Sequence, residues 1–292
     1  MRIVANNIGI EIDDQGLPGG EALLLIMGLG MQLVAWPNEL VQMLVSRGFR
    51  VVRMDNRDIG LSQHFDHLGV PSVAMGAVRH TLGMTVAAPY SLSDMAQDAV
   101  GVLDALGLQQ AHVCGASMGG MIAQHLAAEH PTRVKSLTLM MTTSGARGLP
   151  QPSWRVRGAL LSRPASNEPE AVVRHLQKLL KAIGSPAFPP DAERERQRLL
   201  TAVRRSWHPA GTARQLLAVV ADGDRSVLLP RIMMPTRIIH GLADPLVRVE
   251  AGRDLAQHIA GAQSDFIPGM GHDLPLQLLS RFAEGMAENA AR

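Results

Sequence analysis

Short aliphatic runs along the chain alternate with longer stretches in which apolar residues recur every three or four positions. The runs Ile8–Ile12, Ala22–Met27, Arg50–Met54, Ala111–Cys114, Val134–Met141, Thr236–His240 and Ser264–Ile267 are predicted strands. Helical spacing marks Leu40–Arg47, Ser93–Leu106, Met121–Glu129, Val249–Ile259 and Leu276–Asn289. Several of the strands are continuously apolar, as strands buried on both faces of a parallel sheet must be. The pattern therefore predicts an α/β protein with a mostly parallel, doubly wound sheet covered by helices on both sides. It breaks between Ser144 and Arg231, where Pro-rich turns separate helix-like stretches and no strand is evident. The expected organisation is a core in two parts, residues 1–145 and 232–292, with a helical cap at 146–231 inserted between them.

The chemistry concentrates at one turn between an aliphatic run and a helical stretch, Gly115-Ala116-Ser117-Met118-Gly119. A serine raised on a sharp strand-to-helix turn sits in a strained backbone, and small residues two positions either side avoid collision with it. The bland alternative is a Gly-rich turn whose serine caps a helix. A serine hydroxyl attacks a carbonyl only with a positioned base, itself oriented by a carboxylate. Asp244 lies in the turn Gly241-Leu242-Ala243-Asp244-Pro245 that ends one strand, and His272 lies in the loop Pro268-Gly269-Met270-Gly271-His272-Asp273 that follows the last strand. The order Ser117, Asp244, His272 is that of hydrolases with a serine elbow. Asp222 and Asp224 are the competing acids, but their polar surroundings read as a solvated turn, and Asp273 reads as a loop-stabilising carboxylate. His64 and His67 have the look of a metal pair without accompanying ligands, so an ordinary loop is expected there.

With these residues in place, the chain resembles the α/β-hydrolase superfamily and is similar to its serine esterases of the polyketide methyl-esterase type. The matching segments are Leu23–Gly30 (LLLIMGLG), Asp55–Ser62 (DNRDIGLS), Gly115–Gly120 (GASMGG), His240–Pro245 (HGLADP) and Pro268–Pro275 (PGMGHDLP). The resemblance implies Ser117 as nucleophile, His272 as general base and acid, and Asp244 as its orienting group. It also implies an oxyanion hole formed by the backbone N–H groups of Met118 and Leu29. Two departures stand out: Met27 occupies the place of a common histidine, and Asp58 replaces the first glycine of Asp-x-Arg-Gly-x-Gly-x-Ser. Asp58 is expected to be structural. A serine at 117 argues against relatives that use a carboxylate nucleophile there.

Composition refines this picture in three places. The net charge of +2 hides an asymmetry, because residues 146–231 hold 15 of the 28 Lys and Arg but only 7 of the 26 Asp and Glu. A basic cap could steer anionic substrates, but solvated helix faces and complementarity to an acidic core are the plainer reading. Nucleic acid is not expected as a partner, since aromatic residues make up only 3% of the chain and no recognition motif occurs. One cysteine, Cys114, rules out an internal disulfide, and no leader or run of 18 apolar residues is seen, so a cytoplasmic protein that neither spans nor binds a membrane is expected. Among 16 methionines, Met27, Met31, Met118 and Met141 fall near predicted strand ends, which suggests an apolar, adaptable pocket.

The expected activity is hydrolysis of a carboxylic ester of a medium-sized, mainly apolar small molecule, through an acyl-enzyme and without cofactor or metal. The same three residues would also serve a perhydrolase (cofactor-free haloperoxidase), a lactonase or a C–C bond hydrolase. A ligand receptor that kept the fold without turnover is the reading from another class.

Overall fold

The computed structural model describes residues 1–292, apart from the side chain of His80. Its strands are β1 (Arg2–Ala5), β2 (Ile8–Gln15), β3 (Glu21–Ile26), β4 (Phe49–Met54), β5 (Ala111–Ala116), β6 (Val134–Met140), β7 (Thr236–Gly241) and β8 (Gln263–Ile267). They form one eight-stranded sheet in the order β1-β2-β4-β3-β5-β6-β7-β8. Only β1 with β2 and β2 with β4 are antiparallel; every later pairing is parallel. The central strands β3 and β5 are buried on both faces, which is why LLLI and AHVC read as unbroken runs.

Two apolar layers sandwich the sheet. On one face α3 (Leu92–Ala105) packs against β1 and β2, α4 (Met118–Glu129) against β3, β5 and β6, and α9 (Val249–His258) against β7 and β8, in one apolar layer that includes Leu92, Val102, Ile122, Leu126 and Leu255. On the other, α1 (Asn38–Val45) and α10 (Leu279–Ala290) meet through Leu40, Leu44, Phe282 and Met286. The mostly parallel, doubly wound α/β architecture expected from the pattern is the one observed.

Some elements differ from the sequence reading. β1 was not anticipated, because four residues carry too little alternation; the turn that pairs it with β2 is made by Asn6 and Asn7, both at positive φ. The helix α2 (Val73–Thr81) was also unforeseen, having Gly76 at its centre. α4 starts at Met118, three residues earlier than predicted, since Gly119 and Gly120 look like breakers. Conversely, a 3-10 turn at Leu276–Leu278 delays α10 to Leu279.

Four helices lie between β6 and β7: α5 (Trp154–Leu161), α6 (Pro169–Ile183), α7 (Ala192–Arg205) and α8 (Pro209–Asp222). α6 and α7 share a small apolar cluster of Val172, Val173, Leu199, Leu200 and Val203. Ion pairs bind α7 and α8 to the core. Arg214 of α8 meets Asp58 at 2.7 Å with both side chains fully buried, and Arg205 of α7 meets the buried Asp55 at 2.7 Å. Breaking such a buried pair typically costs about 3–5 kcal/mol, because one charge is left without a partner. Asp58, at φ 71°, thus replaces a glycine of the usual pattern with an anchor for α8. Arg194 likewise reaches Glu39. Three cations of the insert, Arg194, Arg205 and Arg214, thus pair with carboxylates of the core.

Asp222 corrects the reading of its segment as a solvated turn. It is nearly buried and pairs with Arg225 and, at 2.9 Å, with His125 of α4, which also contacts Glu129 at 2.8 Å. Burial opposes the charge on His125, but the two carboxylates outweigh it and raise its pKa above 6.5. A raised value means the folded state holds the proton more tightly. The stabilisation is then full below the unfolded value and is lost as the pH climbs through the raised one. Tm is therefore expected to fall more steeply as the pH rises above about 6.5 in the unsubstituted protein than in His125→Gln; parallel Tm profiles would contradict this.

Candidate active site

Ser117 follows the last residue of β5 and precedes α4, at φ 55° and ψ −119°, a conformation that L residues rarely adopt. Such strain costs on the order of 1–3 kcal/mol and persists only where the surroundings enforce it. Here Ser117 N donates to Met140 O at 2.9 Å, and Thr142 Oγ1 donates to Ser117 O at 2.7 Å. The flanking glycines are sterically required: a Cβ on Gly115 would sit 2.2 Å from Gly119 O, and one on Gly119 would sit 2.1 Å from Ile26 O.

His272 is carried on the loop after β8, and α6 holds that loop in place. His272 N donates to Ile183 O at 2.7 Å, and Gly271 N donates to Ser185 Oγ at 2.8 Å. The Ser185 hydroxyl in turn donates to Asp273. Burial pushes the Asp273 carboxyl above its ordinary value. Asp273 is thereby seen as a loop-stabilising carboxylate, as its sequence context suggested.

Asp244 leaves β7 in a turn whose N–H groups converge on its side chain. Its Oδ1 accepts from Leu246 N at 2.9 Å and Val247 N at 2.8 Å, while Oδ2 lies 2.7 Å from His272 Nδ1. A carboxylate only accepts, so His272 Nδ1 carries the proton and Nε2 presents a lone pair. That Nε2 lies 3.0 Å from Ser117 Oγ. His240 is also 3.7 Å from Asp244, but burial lowers its pKa and its Nε2 donates to Val247 O at 2.8 Å, so it does not compete as a cation. The three residues singled out in the sequence thus form one hydrogen-bonded chain, with Asp222 and Asp224 elsewhere.

Met118 N and Leu29 N have no acceptor among the described residues. Both residues line the cavity that holds Ser117 and His272. A Cβ on Gly28 would come 3.1 Å from Ser117 Cβ, so a side chain there would press on the serine and move it by a few tenths of an ångström. Two unpaired backbone donors flanking a hydroxyl and its base are what an anionic tetrahedral carbon–oxygen species requires.

The cavity has a volume of about 690 Å³, within the usual range for small-molecule sites. Met27, Met31, Met118, Met121 and Met141 line it, together with Leu179, Leu180 and Ile183 of α6. The four methionines marked in the sequence all reach it. At its polar end stand Glu195 and Arg198 of α7, where burial raises the carboxyl and lowers the guanidinium. They form no ion pair with each other among the described residues, whereas the helical pair Glu193–Arg196 closes at 3.2 Å.

The residues that shape the loop around Leu29 had no signature in the sequence. Gln32 binds Ala202 O and Ser206 O, and Gln215 binds Gly30 N; an internal glutamine in a helix pattern carries no signal of such a contact. Asp58 was the one visible hint, as a departure from the family pattern. In the loop expected around His64 and His67 the fold brings neighbours that the sequence did not show: His64 stacks on His208, centroids 3.8 Å apart and planes 5° from parallel, and Asp66 joins them, whereas His67 packs on Phe65. Parallel rings aim their in-plane lone pairs side by side, and Asp66 is already shared by His208 and Arg214.

Comparison with known proteins agrees with this architecture. The family model for the alpha/beta hydrolase fold matches residues 21–277. The chain is 30% identical to the rhodomycin D methylesterase of Streptomyces peucetius, over 94% of this chain and 93% of that one. It is 31% identical to the enzyme of the same name from Streptomyces sp. strain C5, over 94% and 92%. Among solved structures, the enol-lactonase from Burkholderia xenovorans LB400 superposes over the full length of both chains with a TM-score of 0.74 at 22% identity, a likeness of fold.

Proposed function

This chain belongs to the alpha/beta hydrolase fold family, and on that premise we propose that it is a serine esterase cleaving an ester of a bulky, mainly apolar molecule. The observation that carries the reading is the chain from Ser117 Oγ through His272 to Asp244, at 3.0 and 2.7 Å, opening onto a methionine-lined cavity. The substrate class follows from the cavity together with the two relatives named as rhodomycin D methylesterases: a methyl ester of a polyketide-type acid.

The reaction proceeds by acyl transfer in two halves. His272 Nε2 takes the Ser117 proton as Oγ attacks the ester carbonyl, and the Met118 and Leu29 N–H groups receive the oxyanion. The C–O bond of the ester then breaks, His272 gives its proton to the departing alkoxide, and the alcohol leaves. Water repeats the sequence on the acyl-enzyme, releasing the acid and restoring Ser117. Asp244 keeps the imidazole in the tautomer that accepts at Nε2 and stabilises the imidazolium that forms. Residues 146–231 act as the cap, α6 giving the site an apolar wall through Leu179, Leu180 and Ile183 and α7 giving it polar side chains. No described helix is long and apolar enough to cross a membrane.

The test compares methyl and aryl esters, lactones, a vinylogous diketone and peroxide-dependent halogenation of monochlorodimedone on one preparation, with a fluorophosphonate probe in parallel. Ester turnover should be fastest, and the probe should label Ser117, as read by peptide mass. Turnover confined to the diketone or to halogenation, or a protein left unlabelled and inert towards every ester, would overturn the proposal.

A further inference from the structure

The loop that carries Leu29 is pinned peptide by peptide. Asn56 Nδ2 donates to Met27 O at 2.8 Å, Met31 N donates to Gly28 O at 3.2 Å, and Leu33 N donates to Asp55 Oδ1 at 2.7 Å. Between them, Gly30 N donates to Gln215 Oε1 at 3.0 Å. In a trans peptide the N–H and C=O point in opposite directions. The bond to Gly28 O therefore turns the Leu29 N–H away from Met31, and the bond from Gly30 N fixes the peptide plane on the other side of Leu29. The Gln215 side chain is fully buried, and its amide donates to Arg57 O at 2.8 Å, so it has no freedom to swing. Its neighbour Arg214 is locked to Asp58. Of these four pins, Gln215 is the one that comes from outside the sheet core, on α8.

We infer that Gln215 is a positioning residue for the hydrolytic reaction: from α8 it holds the Leu29–Gly30 peptide so that the Leu29 N–H faces the developing oxyanion. This rests on the proposed role of that N–H. It also means that α8 is a fixed part of the catalytic frame, and that displacing it would disarm the oxyanion hole. A donor lost from such a hole typically costs about 10²–10³-fold in kcat, and a misaimed one less.

The experiment compares an ester with its thionoester, whose sulfur is a poor hydrogen-bond acceptor and so gains little from the hole. For Gln215→Met, kcat on the oxo ester should fall by roughly 10-fold or more with KM changed less than about twofold. The thionoester should lose less, so the oxo-to-thiono rate ratio should shrink. Gln215→Glu, which keeps an acceptor for Gly30 N, should retain more of the ratio than Gln215→Met. Where Gln215→Met does not fold, Gln215→Asn, one methylene shorter, takes its place in the comparison. An unchanged kcat, equal losses on both esters, or no difference between the Glu variant and the Met or Asn variant would overturn the inference. The same assays on Ser117→Ala separate the two levels: turnover that survives there sinks the esterase reading itself, whereas Ser117-dependent turnover with an unaltered ratio sinks only the role of Gln215.

Discussion

Ser117→Ala is expected to lower hydrolysis of a short p-nitrophenyl ester by a factor on the order of 10⁴ or more, with the protein still folded. The size follows from the chemistry: without Oγ there is no acyl-enzyme, and the remaining acceleration comes from the donors and the cavity alone. The fold should tolerate the change. Ser117 N and Ser117 O keep their backbone partners Met140 and Thr142, and the side chain makes its hydrogen bond only to His272 among the described residues. Alanine keeps a Cβ at the same positive φ, so the strain is carried over rather than relieved. Circular dichroism and Tm would check the fold; activity above about a hundredth of the original would rule Ser117 out as the nucleophile.

Asp244→Asn should be nearly as damaging, by roughly 10³–10⁴-fold in kcat, through the tautomer rather than through lost attack. The Asn carbonyl oxygen can still accept from Leu246 N and Val247 N, which orients its amide nitrogen at His272 Nδ1. An N–H there makes Nδ1 the acceptor and places the imidazole proton on Nε2, facing Ser117 Oγ. The base then points a proton at the hydroxyl it should deprotonate. KM should change little, because Asp244 does not contact the apolar wall. Asp222→Asn serves as the contrast: it should weaken the pair with His125 and lower stability while leaving kcat within about twofold. If the two variants lose kcat equally, Asp244 is not the orienting acid.

The parts of the molecule legible from the sequence are those whose cause is local. Continuous runs such as LLLI and the helical spacing of residues 93–106 record burial of adjacent residues, so strands and helices were found to within a few positions. Gly115 and Gly119 mark the serine turn because the backbone itself collides there with any side chain. Asp244 and His272 were found because each occupies a loop at a strand end, and the order of strands fixes where such loops gather. β1 and α2 escaped because four residues, or nine interrupted by Gly76, hold too short a pattern to stand out.

Contacts between residues far apart in the chain left no such record. Asp222 looked like a turn residue and is instead a partner of His125, 97 positions away; His64 lies in a stretch expected to be an ordinary loop and stacks on His208; Gln215 drew no attention in the sequence and holds Gly30 across 185 positions. The sequence by itself determined the α/β layering, the serine turn and the three residues able to share a proton, since periodicity and steric collision act between neighbours. Tertiary structure alone decided the 3.0 and 2.7 Å distances that join them, the walls of the cavity and the attachment of α7 and α8 to the loop of Leu29. Those depend on buried hydrogen bonds and ion pairs, whose strength comes from the exclusion of water around both partners at once.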